Sequence, residues 1–226
     1  HGWGLAWYPH AAVQIMKEPI KAGTSQLADF LQEYSEVRSK TFIGHVRWGN
    51  VGGINYSNTH PFGREYDGVD YSFAHNGTVS TDNLLKDYFK PVGGTDSERA
   101  FCHLMNKIKG ENISRISENH FDWIRNILVE INSDDTFNCI FSDGNFLFCY
   151  HDINQYNEFC YLKREAPFQR TRYLDEEIEV DFSTHKDPNQ KGFVVATSPL
   201  TDEDWTNFDG GELIVFKDGE KVYSSS

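Results

Sequence analysis

Three short stretches of the chain carry residue types that could do chemistry together. Arg47 ends a predicted strand and enters a Gly- and Asn-rich stretch. A guanidinium at that place could grip a carboxylate through two parallel hydrogen bonds, or it could serve the fold alone. His75-Asn76-Gly77 follows another predicted strand. A side-chain amide beside a backbone N–H can aim two donors at one developing negative charge, as an oxyanion hole does. The same Asn-Gly pair is also a strong hairpin-turn signal. Thr95-Asp96-Ser97-Glu98 fits a helix capping box, with Thr95 as N-cap and Glu98 three residues on. That leaves Asp96 in the first turn, where the helix dipole favours a carboxylate and a ligand ammonium could be held.

Other chemistries find less support. His45, His60 and His75 recur at even spacing. No two stand at i, i+4 on a helix and no carboxylate motif joins them, so no metal is expected. Neither G-x-G-x-x-G nor G-x-x-x-x-G-K-[ST] occurs, nor does G-x-S-x-G. Nothing in the sequence asks for a cofactor.

The elements that must position these residues are read from periodicity. Leu5 to Tyr8, Val13 to Lys17, Thr41 to Arg47 and Tyr71 to His75 read as strands. Thr24 to Val37 reads as an amphipathic helix with Leu27, Phe30, Leu31 and Tyr34 on one face. A short helix is expected over Asn83 to Phe89 and longer ones from Thr95 to Lys109 and Ser117 to Ile131. Trp48 to Pro61 reads as a long loop, a length usually kept for function. Phe137 to Ser142 and Phe146 to His151 flank Asp143-Gly144 as a hairpin, which could bring Cys139 opposite Cys149. Further strands are expected at Glu158 to Lys163, Glu177 to Phe182, Phe193 to Thr197, Glu212 to Lys217 and Lys221 to Tyr223. Strands, then helices, then strands point to segregated layers, an α+β fold with antiparallel sheets.

Composition narrows the partners. With 21 basic and 34 acidic residues the formal net charge is −13, which repels nucleic acid and anionic lipid. Apolar runs such as Phe146-Leu147-Phe148-Cys149-Tyr150 are strand-length, far short of the roughly 20 residues that span a bilayer. The four cysteines form no CxxC pair and read as buried thiols of a cytoplasmic protein. The 226 residues are read as a single domain, 1–226. The chain opens on His1-Gly2-Trp3-Gly4-Leu5-Ala6-Trp7-Tyr8, which reads as the middle of a structured element, so a segment before it is expected.

Taken in order, several strings are specific together. They are Gly2 to Tyr8, Gly44-His45-Val46-Arg47, Asn58-Thr59-His60-Pro61-Phe62, Ala74-His75-Asn76-Gly77 and Gly94-Thr95-Asp96-Ser97-Glu98. This set resembles the class II glutamine amidotransferases, of the N-terminal nucleophile (Ntn) hydrolase superfamily. Arg164 to Phe168, Ala196 to Leu200 and Trp205 resemble its stand-alone branch, which has no fused synthase domain.

The resemblance implies a four-layer αββα sandwich, and hydrolysis of glutamine to glutamate and ammonia. It implies that Arg47 holds the substrate α-carboxylate, Asp96 its α-ammonium, and Asn76 with Gly77 the oxyanion. The Asn58 to Phe62 loop would line the glutamine pocket, with Thr59 and His60 contacting the substrate. A synthase subunit or a second copy would be the partner. The family nucleophile is the N-terminal cysteine of the mature chain, its α-amine acting as base. None of Cys102, Cys139, Cys149 and Cys160 stands at a terminus, so the resemblance places the nucleophile before Gly2. Two alternatives keep the same pocket: a hydrolase of γ-glutamyl amides, and a catalytically inactive glutamine-binding subunit.

Overall fold

A computed structural model of the chain describes residues 1–48, 52–133, 135–174, 179–184 and 186–225. Asp-Gly pairs set two of its hairpins. Asp67-Gly68 and Asp218-Gly219 have φ of 50° and 75°, and of 48° and 76°, the paired left-handed geometry of a two-residue turn. The first joins β4 (Phe62–Tyr66) to β5 (Val69–Thr78), and the second joins β13 (Leu213–Lys217) to β14 (Glu220–Ser224). Asp143-Gly144 closes a longer loop between β6 (Thr136–Ser142) and β7 (Leu147–Tyr150). There the Asp143 carboxylate accepts from the Asn145 and Phe146 amides at 3.0 and 2.7 Å.

These strands form a six-stranded antiparallel sheet in the order β14-β13-β7-β6-β5-β4. One face packs on α2 (Asp96–Gly110) and α3 (Phe121–Asn132), through Phe73, Phe101, Leu104, Leu128, Phe137 and Phe148. The other face carries two smaller sheets. β1 (Trp3–Trp7) is the centre of β2-β1-β3, between β2 (Gln14–Glu18) and β3 (Phe42–Val46), with Ala6 and Ile43 against Ala74. β8 (Cys160–Glu165) is the centre of β11-β8-β12, with β11 (Lys191–Ala196) and β12 (Thr206–Asn207). Phe159 and Phe208 of this region pack on Ile214 and Phe216. β9 (Arg170–Arg172) and β10 (Glu179–Asp181) pair separately. The short α1 (Gln26–Glu33) flanks the smaller sheets, which completes the αββα order. Because β5 is covered on both faces it is buried almost throughout, rather than alternating.

Several expectations need correction. The predicted Thr24 to Val37 helix shrinks to α1, capped by Ser25, whose hydroxyl accepts from the Ala28 amide at 3.0 Å. No helix forms over Asn83 to Phe89. Side chains of α2 claim that backbone instead: Leu85 donates to His103 Nδ1 and Phe89 to Asn106 Oδ1, each at 2.8 Å. Asn76-Gly77 is no turn, since β5 runs through it in register with Asn138 and Phe137 of β6. Cys139 and Cys149 do not face one another. Cys139 pairs with Tyr150 and Cys149 with Ile140, and all four cysteines are free and buried. β4 and β9 were not expected, although Asp67-Gly68 was a readable signal for the β4–β5 hairpin. Part of the predicted Glu177 to Phe182 strand lies outside the described residues. Among the described residues no helix is long and apolar enough to cross a membrane.

Candidate active site

A cavity of about 270 Å³ brings together Arg47, His60, Asn76, Gly77 and Asp96, which arrive from four different places in the chain. Arg47 follows β3, and its amide is fixed by the Gly2 carbonyl at 2.8 Å. Its Nη1 donates to the Gly53 carbonyl at 3.4 Å. Burial lowers the guanidinium's pKa and the nearby Asp96 charge opposes that shift. Asp96 is the first residue of α2 and is buried; its Oδ2 accepts from the Val79 amide at 2.9 Å. A cation and an anion thus face one small space, which suits a ligand bearing both charges.

Asn76 and Gly77 line the same cavity. The pairing of β5 with β4 stops at Phe73, whereas its pairing with β6 continues to Thr78. Residues 74–78 therefore overhang β4 and reach the cavity. The Asn76 carbonyl oxygen accepts from Asn157 Nδ2 at 3.0 Å, which orients the amide with its NH₂ as the remaining donor group. Gly77 has φ of 141°, and a Cβ there would stand 2.1 Å from the Thr136 carbonyl oxygen. No other residue fits that strand position.

His75 ties the donors to the anion. Its Nε2 lies 3.2 Å from the Thr136 carbonyl oxygen and its Nδ1 lies 2.9 Å from Ser97 Oγ. A carbonyl can only accept, so Nε2 carries the proton and Nδ1 accepts from the Ser97 hydroxyl. Ser97 follows Asp96 on α2, so β5 and α2 are held in register at the site. Burial lowers the pKa of His75, and Asp96 partly offsets it.

His60 lies beneath the cavity and stacks on His45 at 4.2 Å between ring centroids. Burial takes His60 well below the usual histidine value and holds His45 at about 4. Gly4 pairs with His45 in the sheet, and a Cβ on it would lie 2.2 Å from the His60 carbonyl oxygen. Thr59 is placed differently from His60. It is fully buried, donates to the Asn55 carbonyl at 2.9 Å and is not among the cavity's lining residues. Lys17, which sequence reasoning passed over, holds this loop from below. Its Nζ donates to the Thr59 and Pro61 carbonyls at 2.5 and 3.0 Å, and burial lowers its pKa to about 8. The first turn of α2 also departs from the capping box. Thr95 Oγ1 accepts from the Glu98 amide at 3.2 Å as expected. The Glu98 carboxylate turns instead to the Val92 and Gly93 amides and to Arg64.

None of the four cysteines lines the cavity, and burial raises the thiol pKa of each. A wider cleft of about 700 Å³ adjoins the cavity and shares His45, Val46, His75 and Asn76 with it. It runs between β3, which pairs only with β1, and β11, which pairs only with β8, among the described residues. No three His, Cys, Asp or Glu side chains converge as metal ligands among the described residues.

Comparison with known proteins bears directly on this arrangement. Residues 1–226 match the family described as glutamine amidotransferases class-II. The chain belongs to that family. An uncharacterized protein of Methanocaldococcus jannaschii is 42% identical over 226 residues, all of this chain and 63% of that protein. The chain therefore spans under two thirds of that relative. The Escherichia coli K12 protein YafJ is 35% identical, over 98% of this chain and 86% of its own length. Among solved structures, a predicted glutamine amidotransferase from Pseudomonas aeruginosa PA01 has a TM-score of 0.80 and 34% identity, covering 98% of this chain and 87% of that one. Glutamine phosphoribosylpyrophosphate amidotransferase from B. subtilis shares the fold at a TM-score of 0.60 and 18% identity, covering 99% of this chain and 42% of that one. For this class II glutamine amidotransferase chain the sandwich is thus the family's architecture, and the cavity lies where β3, β5 and α2 meet.

Proposed function

We propose that the chain binds glutamine in this cavity and hydrolyses its γ-amide to glutamate and ammonia. The observation that carries the reading is the convergence of Arg47, Asp96, Asn76 and Gly77 on one small space. Arg47 takes the α-carboxylate and Asp96 the α-ammonium, which fixes the amino acid end and directs the γ-amide toward β5. The nucleophile is an N-terminal cysteine outside these residues, whose α-amine takes the thiol proton. Its sulfur attacks the γ-carbonyl carbon. The resulting oxyanion is met by Asn76 Nδ2 and the Gly77 N–H. Collapse expels ammonia, which leaves with the proton, and water then cleaves the thioester to free glutamate and the thiol. A synthase subunit or domain consumes the ammonia.

The wide cleft beside the cavity favours a second reading on the same site, in which a larger γ-glutamyl amide is cleaved and the leaving group extends past Asn76. The test is glutamate release by the whole protein from glutamine and from γ-glutamyl peptides, with Asp96→Asn alongside. That variant keeps the acceptor for the Val79 amide and removes the charge. Its kcat/KM should fall by about a hundredfold or more, since one partner of a buried charge pair is lost. Unchanged turnover would remove Asp96 from the ammonium role. Glutamine binding without turnover by the whole protein would leave a binding subunit.

A further inference from the structure

The carboxylate and ammonium ends of the proposed pocket stand on separate elements, Arg47 after β3 and Asp96 at the start of α2. One buried side chain spans the gap. Asn58 Nδ2 donates to the Gly53 carbonyl at 2.9 Å, and its Oδ1 accepts from the Gly94 amide at 2.8 Å. The Gly53 carbonyl is the one that also receives Arg47 Nη1. Gly94 precedes Thr95, the N-cap of α2.

The amide is held in one orientation. Gly94 offers only a donor and Gly53 only an acceptor, so neither a carboxylate nor an alkyl group of the same size can serve both. Asn58 is itself anchored, its backbone N–H donating to Asn55 Oδ1 at 3.0 Å. The flanking glycines are shaped to it: a Cβ on Gly93 would lie 2.3 Å from Asn58 Oδ1, and one on Gly52 would lie 2.9 Å from Nδ2.

We propose that Asn58 is a specificity-determining positioning residue, which sets the spacing between the carboxylate and ammonium subsites and so selects the free α-amino-acid end of the substrate. The inference rests on the glutamine reading above. The two charges of an amino acid sit on one carbon at a fixed separation, so a small shift of Arg47 against Asp96 spoils both contacts.

The test uses the whole protein and two substrates, L-glutamine and its α-amide, which lacks the carboxylate, with ammonia release as readout. Asn58→Asp keeps the acceptor for Gly94 but sets an oxygen against the Gly53 carbonyl. The KM for glutamine should rise about tenfold, as for one misaligned charge-assisted hydrogen bond. The kcat should stay within about threefold, and the KM for the α-amide should not change, the pattern of lost ground-state binding. Gly93→Ala, whose Cβ would press on Asn58 Oδ1 and also on the Ser57 carbonyl and the Glu98 carboxylate, should give the same split and serves if Asn58→Asp fails to fold. Calorimetric binding of glutamine gives the same comparison without turnover. An unchanged KM for glutamine overturns the inference, and so does an equal loss on both substrates that follows the melting temperature. A wild-type protein that neither binds nor turns over glutamine overturns the glutamine reading, and this inference with it.

Discussion

Asn76 and Asp96 show how a side chain is committed by one contact and left available by another. Asp96 spends one oxygen on the Val79 amide, and Asn76 spends its carbonyl on Asn157. Each is thereby aimed, with its remaining polar atoms at the cavity. On the proposed mechanism, Asn76→Ala removes a donor that matters only once negative charge develops on the substrate oxygen. Its kcat should fall about a hundredfold while KM moves little, a split that steady-state glutamate release resolves. Equal changes in both constants would place Asn76 in ground-state binding instead. Arg47, Asn76, Gly77 and Asp96 were readable as candidates in short strings, because their types could serve a carboxylate, an oxyanion or an ammonium. Asn58 and Ser97 stand in those strings, but their contacts with Gly94 and His75 were not readable, nor was the hold of Lys17 on the Thr59 carbonyl, since these partners are distant in sequence and no local pattern encodes such contacts. Thr59 illustrates the converse: it sits within the right loop yet faces inward, and sequence order cannot separate the two sides of a loop.

At the scale of elements, α2 is where binding and stability meet. Its first turn is fastened by Glu98, almost fully buried, which accepts from Arg64 at 2.5 Å and from the Val92 and Gly93 amides at 3.0 and 2.6 Å. Glu98→Gln leaves the Arg64 charge uncompensated in a largely buried place. The variant should be destabilised by about 3 kcal/mol, a fall of roughly 10 °C in the thermal midpoint. A midpoint within a degree or two of wild type would mean that Arg64 finds another partner. The long strongly periodic helices and the hairpins with Asp-Gly turns were legible, because periodicity and left-handed turn chemistry are local. The Asn83 to Phe89 segment was not. Its backbone donors are satisfied by His103 and Asn106, so tertiary contacts override a helical pattern of apolar residues. Asn76-Gly77 misled in a different way: its glycine is required by the closeness of Thr136 rather than by a turn.

Across the whole molecule, the imidazoles of His60, His75 and His103 are buried, and that of His45 is partly so. His45, His60, His75 and His103 all have pKa values lowered chiefly by burial. In the unfolded chain they titrate near the ordinary value of about 6.5. As pH falls below that value the unfolded state binds protons that the folded state refuses, so stability is full above about 6.5 and is lost on acidification. His45, held at about 4, contributes its share across the window between 6.5 and 4. By pH 5 the loss from His45 alone is about 2 kcal/mol. Thermal midpoints should therefore hold level from pH 7.5 to about 6.5 and then fall steadily to pH 5. A flat profile would show that these rings are not buried as described. This property follows from position, not from the count of histidines.

The six-stranded sheet has a consequence for how the molecule opens. Its β5, β6 and β7 strands contribute side chains both to the core beneath the helices and to the contacts beneath the smaller sheets, as Phe73 and Ala74 do on successive residues. Neither half can lose its partner without exposing apolar surface on strands that the other half needs, so the two halves are thermodynamically coupled. Asn76 and Gly77 are carried by this shared sheet, whereas Arg47 follows β3 of the three-stranded β2-β1-β3 sheet packed on its face. On the proposed reading, local fluctuation of the smaller sheet would loosen the grip on the amino acid without moving the oxyanion donors, so product would leave without disturbing them.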